Sequence, residues 1–368
     1  MKRVICALFF FIVFLYNSSA QADPAAAAVI EAETGRVLYA YHADEELPMA
    51  STTKIMTAML AIEHCGMDEP VVAGENAYGV PGTSIYLGKG EVLTMGQMLY
   101  GLLLASGNDA AVAIAEHVGG SLDGFSDMMN ARAQELGCLH THYETPHGLP
   151  AENHYTSALD LCRIARQAMQ LPIFRQIVST QRATIPWLDH AYDRVLANKN
   201  KLLSTYEGAL GIKTGYTKAA GRCLSFAAER NGMTLIGAVL NCPDWFDYST
   251  QLLDQMFSAY HVYTALREGE IVYRLPVEGG VEDSVDLLAS KPLQAPLSDS
   301  ETAEISFRWP QVQAAGFKKG DCLGTASLVL NGETLCSIPL IAAESIPSFT
   351  FLTGLEQTCR NWIALAQQ

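Results

Sequence analysis

The sequence predicts an α+β protein: an antiparallel sheet with helices packed on it, then a small all-β module and a terminal amphipathic helix. Two observations carry the prediction. Apolar, Ala- and Leu-rich helical stretches between residues 51 and 169 lie between strand hairpins near 29–41 and 224–240, an arrangement that packs helices on an antiparallel sheet. From Ile271 to about Ile341 the pattern changes to short apolar or alternating segments punctuated by Gly and Pro, such as Ala326-Ser327-Leu328-Val329-Leu330, which reads as strands.

In chain order, Lys2-Arg3, an apolar run from Val4 to Tyr16 and Ala20-Gln21-Ala22 form an export leader with a small-x-small cleavage site, so the mature chain is expected to begin near Asp23. The run is shorter than a membrane span, which takes roughly 18 or more apolar residues. Val29–Ala32 and Arg36–Tyr41 flank Glu33-Thr34-Gly35 as a hairpin. Ile55, Met56, Met59, Leu60 and Ile62 then give an apolar stripe at helical spacing. That helix begins at Ser51, a favoured cap residue.

Thr94–Leu104 and Asp109–Val118 are further helices, separated by the break Ser106-Gly107-Asn108. Ser121–Leu136 continues the series, and Ser157-Ala158-Leu159-Asp160 resembles a capping box opening a helix toward Met169. Residues 137–155 read as a polar loop. Leu224–Ala228 and Thr234–Leu240 are strands around the turn at Arg230-Asn231-Gly232, preceded by an extended Ile212-Lys213-Thr214 at a sheet edge. Helical patterning returns from Tyr248 to about Leu266. At the end, Phe351, Leu352, Leu355, Cys359, Trp362, Ile363 and Ala366 share one helical face, which either lies on a membrane or packs on the β module.

Of 24 Lys and Arg, two belong to the leader; the 22 that remain stand against 39 Asp and Glu, formally −17. This excludes a nucleic-acid partner held by phosphate neutralisation. The eight cysteines beyond the leader form no C-x-x-C pair, so neither metal nor cofactor is expected, and no disulfides are assigned.

Three signatures carry the chemistry: Ser51-Thr52-Thr53-Lys54, Ser106-Gly107-Asn108 and Lys213-Thr214-Gly215, each present once. A serine hydroxyl needs an adjacent base, and a residue three positions along a helix projects from the same face. Lys54 occupies that position. It works as a base only if its pKa is lowered, which apolar packing and a second cation such as Lys213 would achieve. Alone, the first signature fits a cap serine with a surface lysine better than a catalytic pair; the other two reverse that. Ser106 can relay a proton, and the Asn108 amide can donate to a substrate carbonyl while accepting from a lysine. Lys213, Thr214 and Gly215 on a strand edge would grip a carboxylate, and the backbone N–H groups of Ser51 and Tyr216 are natural oxyanion-hole donors.

These signatures with their flanks, Thr34-Gly35-Arg36-Val37-Leu38, Ser106-Gly107-Asn108-Asp109-Ala110-Ala111, Pro146-His147-Gly148-Leu149 and Gly211–Thr217, resemble the low-molecular-weight penicillin-binding proteins that act as serine-type D-Ala-D-Ala carboxypeptidases (peptidase family S11). The resemblance implies a β-lactamase/transpeptidase-like catalytic domain at 23–266, after a leader at 1–22, with a small β-sandwich domain at 267–346 and an amphipathic helix at 347–368. It implies removal of the terminal D-alanine from peptidoglycan stem peptides, with β-lactams as acylating inhibitors. By the same resemblance Ser51 is the nucleophile, Lys54 the base, Ser106 and Asn108 the second element, and Lys213, Thr214, Gly215 and Tyr216 the substrate-binding edge. It also implies action at the cell wall and a peripheral membrane contact through 351–366. The competing functions are a β-lactamase, for which the chain lacks Glu-x-x-Leu-Asn, a D,D-endopeptidase, and a non-catalytic muropeptide sensor.

Overall fold

The computed structural model describes residues 23–350. The expected leader at 1–22 and residues 351–368 of the expected terminal helix lie outside them. The N-terminal hairpin forms as expected, with strands Ala26–Glu31 and Val37–Tyr41. It is joined to a strand some two hundred residues away by pairing Ala26–Glu31 against Met233–Leu240. The resulting sheet has five antiparallel strands in the order Val37–Tyr41, Ala26–Glu31, Met233–Leu240, Gly221–Arg230, Ala209–Thr217. The Lys213-Thr214-Gly215 signature therefore lies on an edge strand, as predicted.

Both faces of this sheet are buried, and the two-residue period of its strands sorts their side chains. Ala26, Ala28 and Ile30 enter the core under the main helices, while Ala27 and Val29 enter the core on the opposite face, as alternation across a pleat requires. The helical side holds α1 (Lys54–His64), α2 (Met95–Leu103), α3 (Asn108–Gly119), α4 (Leu122–Glu135), α5 (Ala158–Met169) and α6 (Pro172–Ser179). α1 is buried from Lys54 through Ala61, so it runs through the interior, unlike an ordinary surface helix with a single apolar stripe. α2 starts with a full capping box, Thr94 with Gln97. At α5 only half of the predicted box forms: Ser157 Oγ accepts from Asp160 N at 3.2 Å. The Asp160 carboxylate is taken by His140 N, the Thr141 hydroxyl and Arg163.

Two expectations need correction. The helix near 248 spans Trp245–Ala259 and stops at Tyr260; His261–Leu266 is a strand paired with Leu293–Leu297. A partner strand was available, and β-branched Val262 and Thr264 suit it. Residues 137–155, read as a polar loop, bury Tyr143 and His154 and close on themselves through a His142–Tyr155 bridge, beside the Leu47–Thr156 bridge that follows.

The C-terminal module is a six-stranded sheet built mainly on the hairpin Cys322–Leu330 and Glu333–Ala342. It encloses a separate apolar core containing Leu275, Leu287, Leu328 and Leu340. It meets the first sheet at the Glu33–Arg36 turn. Arg36 pairs with Glu301 at 3.1 Å and donates to the Pro296 carbonyl, and Gln294 Nε2 donates to Glu33 at 3.0 Å. Ile346 and Ser348 still bridge to Phe317 and Gly280 of this module. Among the described residues no helix is long and apolar enough to cross a membrane.

Candidate active site

The three signatures converge at one end of the sheet. Ser51 lies in a single 3-10 turn, Ala50–Thr53, that leads directly into α1. Its side chain caps nothing; instead Ser51 Oγ lies 2.9 Å from Lys54 Nζ. The surface-lysine alternative is excluded, because Lys54 is 0% exposed. Its nitrogen also donates to Asn108 Oδ1 at 2.7 Å and to the His147 carbonyl at 2.8 Å. The Asn108 orientation is fixed from behind by Nδ2, which donates to the Pro81 carbonyl at 2.6 Å.

This geometry has a chemical consequence. A neutral amine has two N–H donors and one lone pair, and a carbonyl or amide oxygen can only accept. Asn108 Oδ1 and the His147 carbonyl take both N–H groups, which leaves the lone pair facing the Ser51 hydroxyl. The amine is pushed toward that neutral state: burial holds the Lys54 pKa well below the usual amine value, and the charges of Lys213 and Lys199 lower it further against the opposing Asp109. Lys213 is itself 1% exposed, and burial with the Lys199 charge brings it down to about 7.

The loop before α5 locks the Ala50–Thr53 turn. His154 Nδ1 accepts from the Glu144 N–H at 3.0 Å, so the ring proton sits on Nε2 and is donated to Thr53 Oγ1 at 2.8 Å; Thr53 in turn donates to the Ala50 carbonyl at 2.8 Å. Burial, with His142 nearby, outweighs Glu144 and holds His154 at about 4. His147 falls to about 3 through burial and the neighbouring Lys54 and His154. Both imidazoles are thus neutral at pH 7 and add no charge beside the lysine. A Cβ at Gly148 would lie 1.9 Å from the Ala50 carbonyl oxygen; only glycine lets this loop press so closely on the turn.

On the opposite wall, a Cβ at Gly215 would lie 2.9 Å from Ser51 N, so the edge strand's backbone lies directly beside the serine's own amide. The second signature sits on the connection before α3. Ser106 is buried and held at φ 64, an uncommon backbone state for a non-glycine residue. Its carbonyl accepts from the Thr83 hydroxyl. The Asp109 carboxylate accepts from Ser84 Oγ at 2.6 Å and Leu87 N at 3.0 Å, which fixes the strip 83–87 that borders Ser106.

Between these walls lies a cleft of about 590 Å³ that contains Ser51, Ser106, Asn108, Thr214, Gly215 and Tyr216. Lys54 and Lys213 stand behind its surface. The sequence reading missed Lys199 and Arg222, cations that line the cleft, and the aromatic wall of Trp245 and Phe246. Lys199 and Arg222 lie outside any motif; Trp245-Phe246 opens a helix, and only packing against the sheet turns it toward the serine.

An α+β fold with a serine and a buried lysine one turn apart, facing a sheet-edge strand, defines a serine hydrolase of the penicillin-binding type. The D-alanyl-D-alanine carboxypeptidase profile of peptidase family S11 matches residues 15–244, and that of the penicillin-binding protein 5 C-terminal domain matches 260–348. The chain belongs to the S11 D-alanyl-D-alanine carboxypeptidase family. It is 33% identical over 349 residues to the carboxypeptidase DacF of Bacillus subtilis, covering 91% of this chain and 89% of that one. It is 29% identical over 343 residues to DacC of Escherichia coli, covering 88% and 84%. Penicillin-binding protein 5 of Haemophilus influenzae superposes with a TM-score of 0.73 at 26% identity, covering 88% of this chain and 98% of that one.

Proposed function

We propose that this chain is a serine-type D-Ala-D-Ala carboxypeptidase that releases the terminal D-alanine of peptidoglycan stem peptides through an acyl-enzyme on Ser51. The observation that carries the proposal is the 2.9 Å approach of Lys54 Nζ to Ser51 Oγ by a wholly buried lysine. Lys54 takes the hydroxyl proton as Ser51 attacks the penultimate carbonyl. The Ser51 and Tyr216 N–H groups receive the developing oxyanion. Ser106 passes a proton to the departing D-alanine amine, and water then releases the shortened peptide. Asn108 holds the lysine and offers its remaining N–H to the substrate backbone. Thr214 and Lys199 face the terminal carboxylate, with the Lys213 charge behind them.

The chain is also proposed to be exported by cleavage after its leader at 1–22 and to act outside the cytoplasmic membrane, with 23–266 as the peptidase domain and 267–346 as the β domain. The segment 351–366 would rest on the membrane surface as an amphipathic helix; residues 347–350, expected as its start, instead stay on the β module, where Ser348 bridges to Gly280 and Phe349 N donates to the Gly279 carbonyl at 2.7 Å.

Intact mass after exposure to a β-lactam, followed over time, tests this reading. A long-lived adduct that disappears in Ser51→Ala, with D-alanine release from a pentapeptide, is expected. Fast turnover of penicillin would make the protein a β-lactamase. Peptide binding without product would make it a sensor, and cleavage restricted to cross-linked dimers an endopeptidase.

A further inference from the structure

α1 and α3 both begin at the active site, one with Lys54 and the other with Asn108, and both end together at another place. α1 has 11 residues, so its far end lies roughly 15 Å from its start at about 1.5 Å per residue. There Cys65 caps α1, Glu69 closes the turn that follows, and His117 projects from the last turn of α3. The Cys65 sulfur, a Glu69 oxygen and a His117 ring nitrogen all lie within 4.8 Å of one another.

The backbone beneath these donors is fixed. Cys65 N donates to the Ala61 carbonyl at 3.0 Å, Glu69 N to Gly66 at 3.1 Å, and Met95 N, at the start of α2, to the Glu69 carbonyl at 2.8 Å. Glu69 Oε1 lies 2.8 Å from His117 Nε2, and Glu69 Oε2 accepts from Gly66 N at 3.2 Å. An ion pair accounts for His117 and Glu69, but leaves the thiol beside them unexplained.

Three further features point to a cation. A thiolate, an imidazole and a carboxylate are together the donor set of tetrahedral zinc-type sites. The site lies where two helices end, and the partial negative charge of helix C-termini favours a positive ion. Cys65 and His117 are half-buried while Glu69 is exposed, so solvent reaches the remaining coordination position.

We propose that Cys65, Glu69 and His117 bind a borderline divalent cation of the zinc class, with water as the fourth ligand, and so tie together the distal ends of the two helices that carry Lys54 and Asn108. Coordination releases the thiol proton to solvent and exchanges the His117–Glu69 hydrogen bond for two bonds to metal. The spacing rule that found no C-x-x-C pair could not see this site, because His117 arrives from a different helix.

Metal-stripped full chain, kept reduced, is titrated with Zn2+ by calorimetry and with Co2+ by absorption. One equivalent should bind, with a sulfur-to-cobalt charge-transfer band and a rise in Tm that saturates at that stoichiometry. Cys65→Ser and His117→Gln should each abolish the band and the rise, while metal-free penicillin acylation and circular dichroism stay at parental values. Absence of stoichiometric binding, cobalt binding without the sulfur band, or undiminished binding by Cys65→Ser would each overturn the proposal.

Discussion

The peptidase domain and the C-terminal β module bury their side chains under different rules. Among the described residues every buried charged group, Lys54, Lys213, Asp109, Asp160, Glu91 and Arg194 among them, precedes residue 250, and the β module buries none. Backbone strain follows the same division. Ala50 and Ser106 adopt positive φ beside Ser51, whereas among the described residues the only non-glycine residue with positive φ after residue 260 is Asn331, in a hairpin turn, where asparagine is at home. Burying an amine is costly unless it is paired or neutralised. The peptidase domain therefore tolerates features that the module avoids, and at Lys54, Lys213, Ala50 and Ser106 they surround the serine and lysine proposed as nucleophile and base.

Lys54→Met would break this comparison most sharply. Acylation by penicillin should slow roughly a hundred- to ten-thousandfold, the range for loss of a general base, while Tm stays equal or rises because a buried amine has gone. A large drop in Tm measured by calorimetry would mean that the lysine serves the fold instead. Gly148→Ala comes next. The added methyl meets the Ala50 carbonyl in a backbone state unfavourable to alanine, so stability should fall by about 1–3 kcal/mol. Stopped-flow acylation should slow on the order of a hundredfold, the effect of displacing a reacting group by about 1 Å.

The pH response of Lys213 is smaller. Its folded pKa of about 7 lies below the ordinary amine value of 10.5, so between those values the unfolded chain binds more protons than the folded one. Stability should therefore rise with pH across that window, with the burial penalty in full force below pH 7. Urea unfolding of the parent against Lys213→Met reads this slope, which the variant should lack. The peptide kcat/KM should fall as pH rises through about 7 and the charge behind the carboxylate site is lost. Leu328→Ala should leave the acylation rate unchanged. It should lower the stability of the β module by about 2–5 kcal/mol, as for other large-to-small core changes, and a change in rate would show that the two cores are coupled.

Much of this arrangement was legible in advance where the signal is local. The hairpin about Glu33-Thr34-Gly35, the Ser157 cap, the Asn231-Gly232 turn and the edge position of Lys213-Thr214-Gly215 each depend on a few neighbouring residues, and each formed. Ser51 as a cap and 248–266 as a single helix failed for different reasons: the first yielded to a side chain three residues on, the second to a strand distant in sequence. Ser51 is engaged by Lys54, and His261–Leu266 by Leu293–Leu297. The loop at 137–155 looked polar because its composition is polar, yet His154 and the His147 carbonyl are turned inward by contacts with α1.

The amino-acid order by itself determined which residues are proposed to carry the chemistry, because a hydroxyl and an amine three positions apart, a Gly-Asn break and a strand-edge glycine are short-range patterns. Only the tertiary structure decided the lowered pKa of Lys54, the tautomer of His154, the arrival of Lys199 at the cleft and the meeting of Cys65 with His117. Those depend on which groups exclude water from one another, and solvent exclusion is a property of chain segments far apart in sequence and adjacent in space.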